Sequence, residues 1–179
     1  MKDLETERLI IRRFKKEDLD DGFEILSDAK VAECSDFEQY TSKIDVLKTI
    51  ETAIQDYDTY EACWAIEEKH DNKVIGHIRM INTSLKNRQC TLLWALNQKY
   101  WGQGYSEEIL KCIIKYLFEE HPFDIIVVNY YSDKAFLNPF LENVGMKRDA
   151  VLRDRRINSL TNKKESLVIY SILKAEMNW

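Results

Sequence analysis

The segment Lys99-Tyr-Trp-Gly-Gln-Gly-Tyr-Ser106 constrains this chain more than any other. An apolar run, Thr91-Leu-Leu-Trp-Ala-Leu96, leads into it, and an amphipathic pattern from Ile109 to Phe118 leads out. Gly102 and Gly104 stand at the junction. A strand that ends in such a loop and opens a helix gathers free backbone N–H groups at one point. The helix dipole adds its positive end, so an anion such as a pyrophosphate fits there. Charge at a helix N-terminus is worth roughly 0.3–1 kcal/mol, and about 2 kcal/mol when partly buried. Glycine keeps a side chain from holding the ligand off the backbone. The same pair of glycines could also do no more than permit a tight strand-to-helix turn. Two nucleotide-binding signatures are excluded by spacing. The dinucleotide fingerprint wants a third glycine where Glu107 stands, and the P-loop wants Gly-Lys-Ser/Thr where Gly104-Tyr105-Ser106 stands.

Patterning along the chain predicts a mixed α/β sheet in one domain, residues 1–179. Leu9-Ile-Ile11 to Phe14 reads as a first strand, and Lys15 to Asp28 as a helix. Ser42 can cap a second helix with its apolar face on Ile44, Leu47, Ile50, Ile54 and Tyr57. Strands over Ala62 to Glu68, Val74 to Ile81 and Gln89 to Leu96 read as an antiparallel meander. The helix from Tyr105 ends before Pro122. Asp124 to Tyr131 is a β-prone central strand. A short helix opening at Asn138-Pro139 stops at Gly145, and two strands, Met146 to Ile157 and Glu165 to Leu173, close the chain.

At 179 residues the chain can bury a sizeable core without staples. Its net charge of −5 argues weakly against a general nucleic-acid binder, and Arg153, Arg155 and Arg156 read as an exposed strand or turn, or as a local basic patch. The four cysteines, Cys34, Cys63, Cys90 and Cys112, lack metal or redox spacing. Free thiols and a reducing compartment are the expectation, with Cys34 exposed and the others packed. No signal-peptide pattern and no membrane-length apolar run is present, so the expected location is the cytoplasm.

Taken together, these residues resemble the GNAT N-acetyltransferases, specifically the branch that acetylates ribosomal-protein N-termini. Lys99-Tyr100-Trp101-Gly102-Gln103-Gly104 matches that family's acetyl-CoA loop, with lysine in the first place. Glu108 falls on the branch's usual glutamate. Leu4-Glu-Thr-Glu-Arg-Leu9, Val74-Ile-Gly-His77, Leu152-Arg153 and Tyr170-Ser-Ile-Leu173 also fit. The resemblance implies the acyl-CoA N-acyltransferase fold, a mostly antiparallel splayed sheet with helices on both faces. It implies that Trp94, Ala95 and Leu96 lie along the pantetheine and acetyl group. Backbone N–H groups from Trp101 to Ser106, Tyr105 included, would hold the pyrophosphate. Lys99 could add a charge there or lie solvated.

Departures from the branch concern the chemistry. Its Asn-x-x-Ser falls on Lys134 and Leu137. Lys134 could reach the cofactor through its charge or lie in solvent. An acidic place falls on Thr91, and a tyrosine acid's place falls near Leu141. Tyr130, Tyr131 and Ser132 are substitutes, and alternation lets at most one of the tyrosines face the thioester. Tyr131 and Ser132 are the catalytic candidates; no metal site is expected. His77 reads as packing and Glu38 as a solvated carboxylate. The expected activity is acetyl transfer from acetyl-CoA to a primary amine, on a small molecule or a protein N-terminus, by a monomer or homodimer. A non-catalytic acyl-CoA-binding protein and an interaction module that has lost the cofactor are the alternatives.

Overall fold

A computed structural model describes residues 1–158 and 161–179. Among the described residues eight strands form one sheet in the order β1-β2-β3-β4-β5-β6-β8-β7. They span Leu4–Glu5, Leu9–Arg13, Cys63–Glu68, Lys73–Ser84, Gln89–Leu96, Ile125–Tyr131, Lys147–Ile157 and Lys164–Leu173 for β1 to β8. The described α-helices, α1 to α5, cover Leu19–Leu26, Ala29–Ser35, Lys43–Asp56, Tyr105–Glu120 and Asn138–Asn143. β5 and β6 pair in parallel, whereas the other described neighbours are antiparallel. The expected mostly antiparallel sheet with helices on both faces is the observed one.

Two cores follow from the alternation of side chains across the strands. One face packs on α4, burying Ile109, Leu110, Ile113, Ile114, Leu117 and Phe118 against Trp64, Ile78, Leu92 and Ile126. Each such side chain contributes about 1.5–3 kcal/mol when fully buried. The other face packs on α1 to α3, with Ile25, Val31, Val46 and Ile50 against Ala65 and Ala95.

The helical region before β3 departs from the expectation. The Asp28 carboxylate accepts from the backbone N–H groups of Lys30 and Val31 and starts α2, where no helix is read from the sequence. Seven residues with two buried positions are too short for periodicity to register, but a cap suffices once the sheet covers Val31 and Ala32. The buried face of α3 is Val46, Ile50 and Ala53, and Ile44 is exposed. That face packs on α1 at Gly22, where a Cβ would lie 3.2 Å from Ile50 Cδ1 and 3.6 Å from Val46 Cγ1. A two-residue β1 also precedes the first expected strand.

Candidate active site

β5 and β6 stay together for three residue pairs, Gln89–Ile125, Cys90–Ile126 and Thr91–Val127, and then part. β6 remains zipped to β8 as far as Tyr131, and β5 remains on β4 as far as Leu96. Between them opens a cleft of about 820 Å³. Gly76 sets the β4 side: a Cβ there would lie 2.3 Å from the Ala95 carbonyl oxygen, so β4 and β5 close up at the mouth only because this residue has none.

The open edge of β5 carries unused backbone polar groups. Asn97 N–H donates to the Ile75 carbonyl at 2.7 Å, so this residue faces β4. Backbone groups alternate sides along a strand, which turns those of Trp94 and Leu96 toward the gap. The Leu96 carbonyl there accepts from the Trp101 indole at 2.8 Å, leaving the Trp94 amide and the Leu96 N–H facing the cleft.

The loop beyond β5 is held at both ends. Asn97 accepts from Lys99 N–H at 3.0 Å, and Trp101 N–H donates to the Gln98 carbonyl at 3.2 Å, so against the expectation the Trp101 N–H is not among those open to an anion. Gly102 and Gly104 have φ of 72° and 81°, the left-handed region that side chains resist. Gly104 is the N-cap of α4 and supplies no capping side chain, so the first-turn N–H groups of that helix are free to face an anion. Nothing lies within 4 Å of a Cβ built on Gly102. This cradle fits a pyrophosphate.

Arg8 and Glu108 brace it from beneath. Arg8 donates to the Gln103 carbonyl at 2.9 Å and to Glu108 at 2.7 Å, and its guanidinium lies 4.1 Å from the Tyr105 ring centre. Glu108 also accepts from Thr6 Oγ1 and from Arg8 N–H. Burial alone would raise the Glu108 carboxyl, but these hydrogen bonds outweigh it and hold it below the ordinary carboxylate range. Arg8 and Thr6 were legible only as part of an opening motif, because their partner lies about a hundred residues away.

The structure sorts the candidate residues. Trp94, Ala95, Leu96, Trp101, Gly102, Gly104, Tyr105, Ser106, Tyr131 and Lys134 line the cleft. Lys99 does not: its ammonium sits on Glu24 at 2.8 Å, on the far side of the loop. Gln103 also stays out, with its side chain donating to the Lys99 carbonyl. Ser132 lies outside the lining, and its hydroxyl accepts from Ser166 N–H at 3.1 Å. Lys134 is not solvated: its side chain is 3% exposed, with Nζ 2.9 Å from Asp36. Arg156 separates from the exposed Arg153 and Arg155: it bonds Asp36 and Glu165, and its guanidinium lies 3.8 Å from the Tyr131 ring centre.

Tyr130 and Tyr131 face opposite ways, as alternation requires. Tyr130 stacks on Tyr170 and donates to Asn138, and burial pushes its hydroxyl up to about 12. It is therefore a poor acid. Thr91 and Leu141 are buried. His77 pairs across the sheet with Ala65 and Ala95, and burial with Arg79 nearby pushes it down to about 4, so it is neutral at pH 7. Cys34 lines the cleft, and burial raises its thiol above the ordinary value. Cys63 and Cys90 are buried, Cys112 is half-buried and all four thiols are free.

A parallel strand pair that parts beside free N–H groups at a helix N-terminus has the shape to hold an extended ligand with a diphosphate at one end. The sequence profile of the acetyltransferase (GNAT) domain matches residues 8–147, and the chain belongs to that family. It is an N-acetyltransferase whose acetyl donor is acetyl-CoA. It is 24% identical over 172 residues to the uncharacterized N-acetyltransferase YoaA of Bacillus subtilis, covering 96% of each chain. A GNAT-family acetyltransferase from Bacillus anthracis superposes with a TM-score of 0.83 at 22% identity, covering 97% of this chain and 99% of that one. Spermidine N-acetyltransferase from Vibrio cholerae, in complex with CoA and spermine, superposes with a TM-score of 0.81 at 16% identity over 96% and 98% of the chains. Among the described residues no helix is long and apolar enough to cross a membrane.

Proposed function

We propose that residues 1–179 act as one domain that joins acetyl-CoA and a primary amine in a ternary complex and transfers the acetyl group directly. The observation that carries this reading is the gap between β5 and β6 opening on the left-handed Gly102–Gly104 cradle. Backbone N–H groups from Gly102 to Ser106 hold the pyrophosphate. Trp94 and Leu96 meet the pantetheine as an added strand would. The acceptor arrives from the α2 side, as a small amine or a protein N-terminus.

In the reaction the amine nitrogen bonds to the thioester carbonyl carbon, the C–S bond breaks with its electron pair on sulfur, and the proton lost by the nitrogen ends on the CoA thiolate. Lys134 supplies a buried positive charge at the cleft wall that offsets the charge on the departing sulfur. Cys34 is not a relay nucleophile, because a raised thiol offers little thiolate. The usual acid and base places are apolar or buried, so positioning carries the rate. Holding two reactants in line is worth up to roughly 7–11 kcal/mol, more than the typical 10²–10⁴-fold from general acid–base help. The four free thiols suit a reducing compartment, and we place the protein in the cytoplasm.

Calorimetric titration with acetyl-CoA, beside Gly104→Asp, tests this reading. Micromolar binding that the variant loses is the expected result. A wild-type protein that binds no acetyl-CoA refutes it.

A further inference from the structure

We infer that the acceptor is a primary monoamine with an apolar body and not a polyamine, a conclusion that rests on the acetyl-transfer reading. The wall facing α2 is read from strand alternation. Leu93 and Tyr131 project to that side, Leu167 pairs with Tyr131, and Ile81 pairs with Thr91 on the same face. All four line the cleft, with Phe136 at its rim. Leu93 and Phe136 are 37% and 66% exposed, so both are open to a ligand in the cleft. An apolar ligand body would cover both.

Charge decides the rest. A polyamine carries further ammonium groups that need carboxylates in the pocket. Two carboxylates line the cleft among the described residues, Asp36 and Glu107. Glu107 lies at the cofactor loop and is bonded to Lys111 at 2.7 Å. Asp36 is taken twice: Lys134 Nζ donates to Oδ1 at 2.9 Å, and Arg156 Nη1 donates to the same oxygen. Lys134 and Arg156 also stand 3.7 and 3.5 Å from Asp133. Glu165, next in the network, accepts from Arg156 and Asn158. Both carboxylates that line the cleft are therefore bonded to a cation of the protein. A second ammonium entering here would be desolvated and would have to compete with Lys134 and Arg156 for Asp36. The reacting amine escapes this penalty, because it must be neutral to attack.

The test is initial-rate CoA release with 2-phenylethylamine, hexylamine, cadaverine and spermidine, on the full chain. The expected kcat/KM for the two monoamines exceeds that for cadaverine and spermidine by at least tenfold. Parity, or preference for a polyamine, overturns the inference. So does turnover of neither monoamine by protein that binds acetyl-CoA in calorimetry. Failure to bind acetyl-CoA at all overturns the parent reading as well. Arg156→Ala, which releases half of the lock on Asp36, is expected to shift the ratio at least threefold toward cadaverine. Arg156→Lys, which keeps the cation, is expected to preserve the wild-type ratio. A change in overall rate with an unchanged ratio in Arg156→Ala would show that the Asp36 lock does not select the acceptor.

Discussion

Gly76→Ala is the substitution that most directly probes how the cleft is made. The new Cβ would lie 2.3 Å from the Ala95 carbonyl oxygen, 2.5 Å from Leu96 Cδ2 and 3.2 Å from Leu96 Cα. The leucine methyl can rotate away, but the carbonyl belongs to a strand and must retreat about 1 Å to reach ordinary contact at 3.4 Å. That retreat strains the Asn97 N–H bond to Ile75, which anchors the end of β5. Overpacking of this kind costs about 1–3 kcal/mol, and a weakened ladder bond about 1 kcal/mol more. Alanine's conformational advantage over glycine returns roughly 0.5–1 kcal/mol. The net is about 2 kcal/mol, or a fall in Tm of roughly 4–8 °C for a chain of this size. β5 would move into the cleft with Trp94 and Leu96, and a 1 Å misplacement can cost on the order of 10²-fold in rate. Calorimetric melting and kcat/KM for acetyl-CoA read both effects. Gly22→Ala is the control: its new Cβ meets the flexible Ile50 Cδ1 at 3.2 Å, and the helix gains propensity. The reasoning fails if Gly76→Ala melts no lower than Gly22→Ala and turns over like the wild type.

Two further predictions follow from the ion pairs. Hydrogen bonds from Lys73, then Lys99 and Asn97, hold Glu24 down to about 2 from 4.5. Its stabilisation is therefore present above pH 4.5 and lost as pH falls toward 2. About a third of this side chain is exposed, so screening reduces the contribution to about 1 kcal/mol. Denaturant titrations across pH 2–7 should show the wild type more stable than Glu24→Gln at pH 7 and equal to it near pH 2; a pH-independent gap would contradict the assignment. Glu108→Ala removes the bonds to Thr6 and Arg8. A loss of about 2 kcal/mol is expected, since hydrogen bonds to charged groups are worth about 1.5–3 kcal/mol. Acetyl-CoA affinity should fall several-fold as Arg8 releases the Gln103 carbonyl; an unchanged melting curve with unchanged affinity would remove the bracing role.

Local order reads directly from neighbouring residues. The turn chemistry of Gly102 and Gly104, the apolar face of α4 and the strand patterns on either side depend on contacts within a few positions. The loop, its helix and the family therefore follow from sequence alone. The alternation of Tyr130 and Tyr131 was legible for the same reason. What tertiary structure decided is where charges end up. Lys99 and Lys134 are alike as residues, yet one is held at the surface by Glu24 and the other is buried on Asp36. Arg156 leaves its arginine neighbours to bridge Asp36 and Glu165. The parting of β5 from β6 has no local signal either, because it depends on β6 staying with β8 and β5 with β4. Ion pairs spanning some hundred residues, such as Arg8 with Glu108 and Lys134 with Asp36, arise only when the sheet brings distant segments together. Periodicity records which face a residue takes, whereas the partner it meets there is set by the packing of the whole chain.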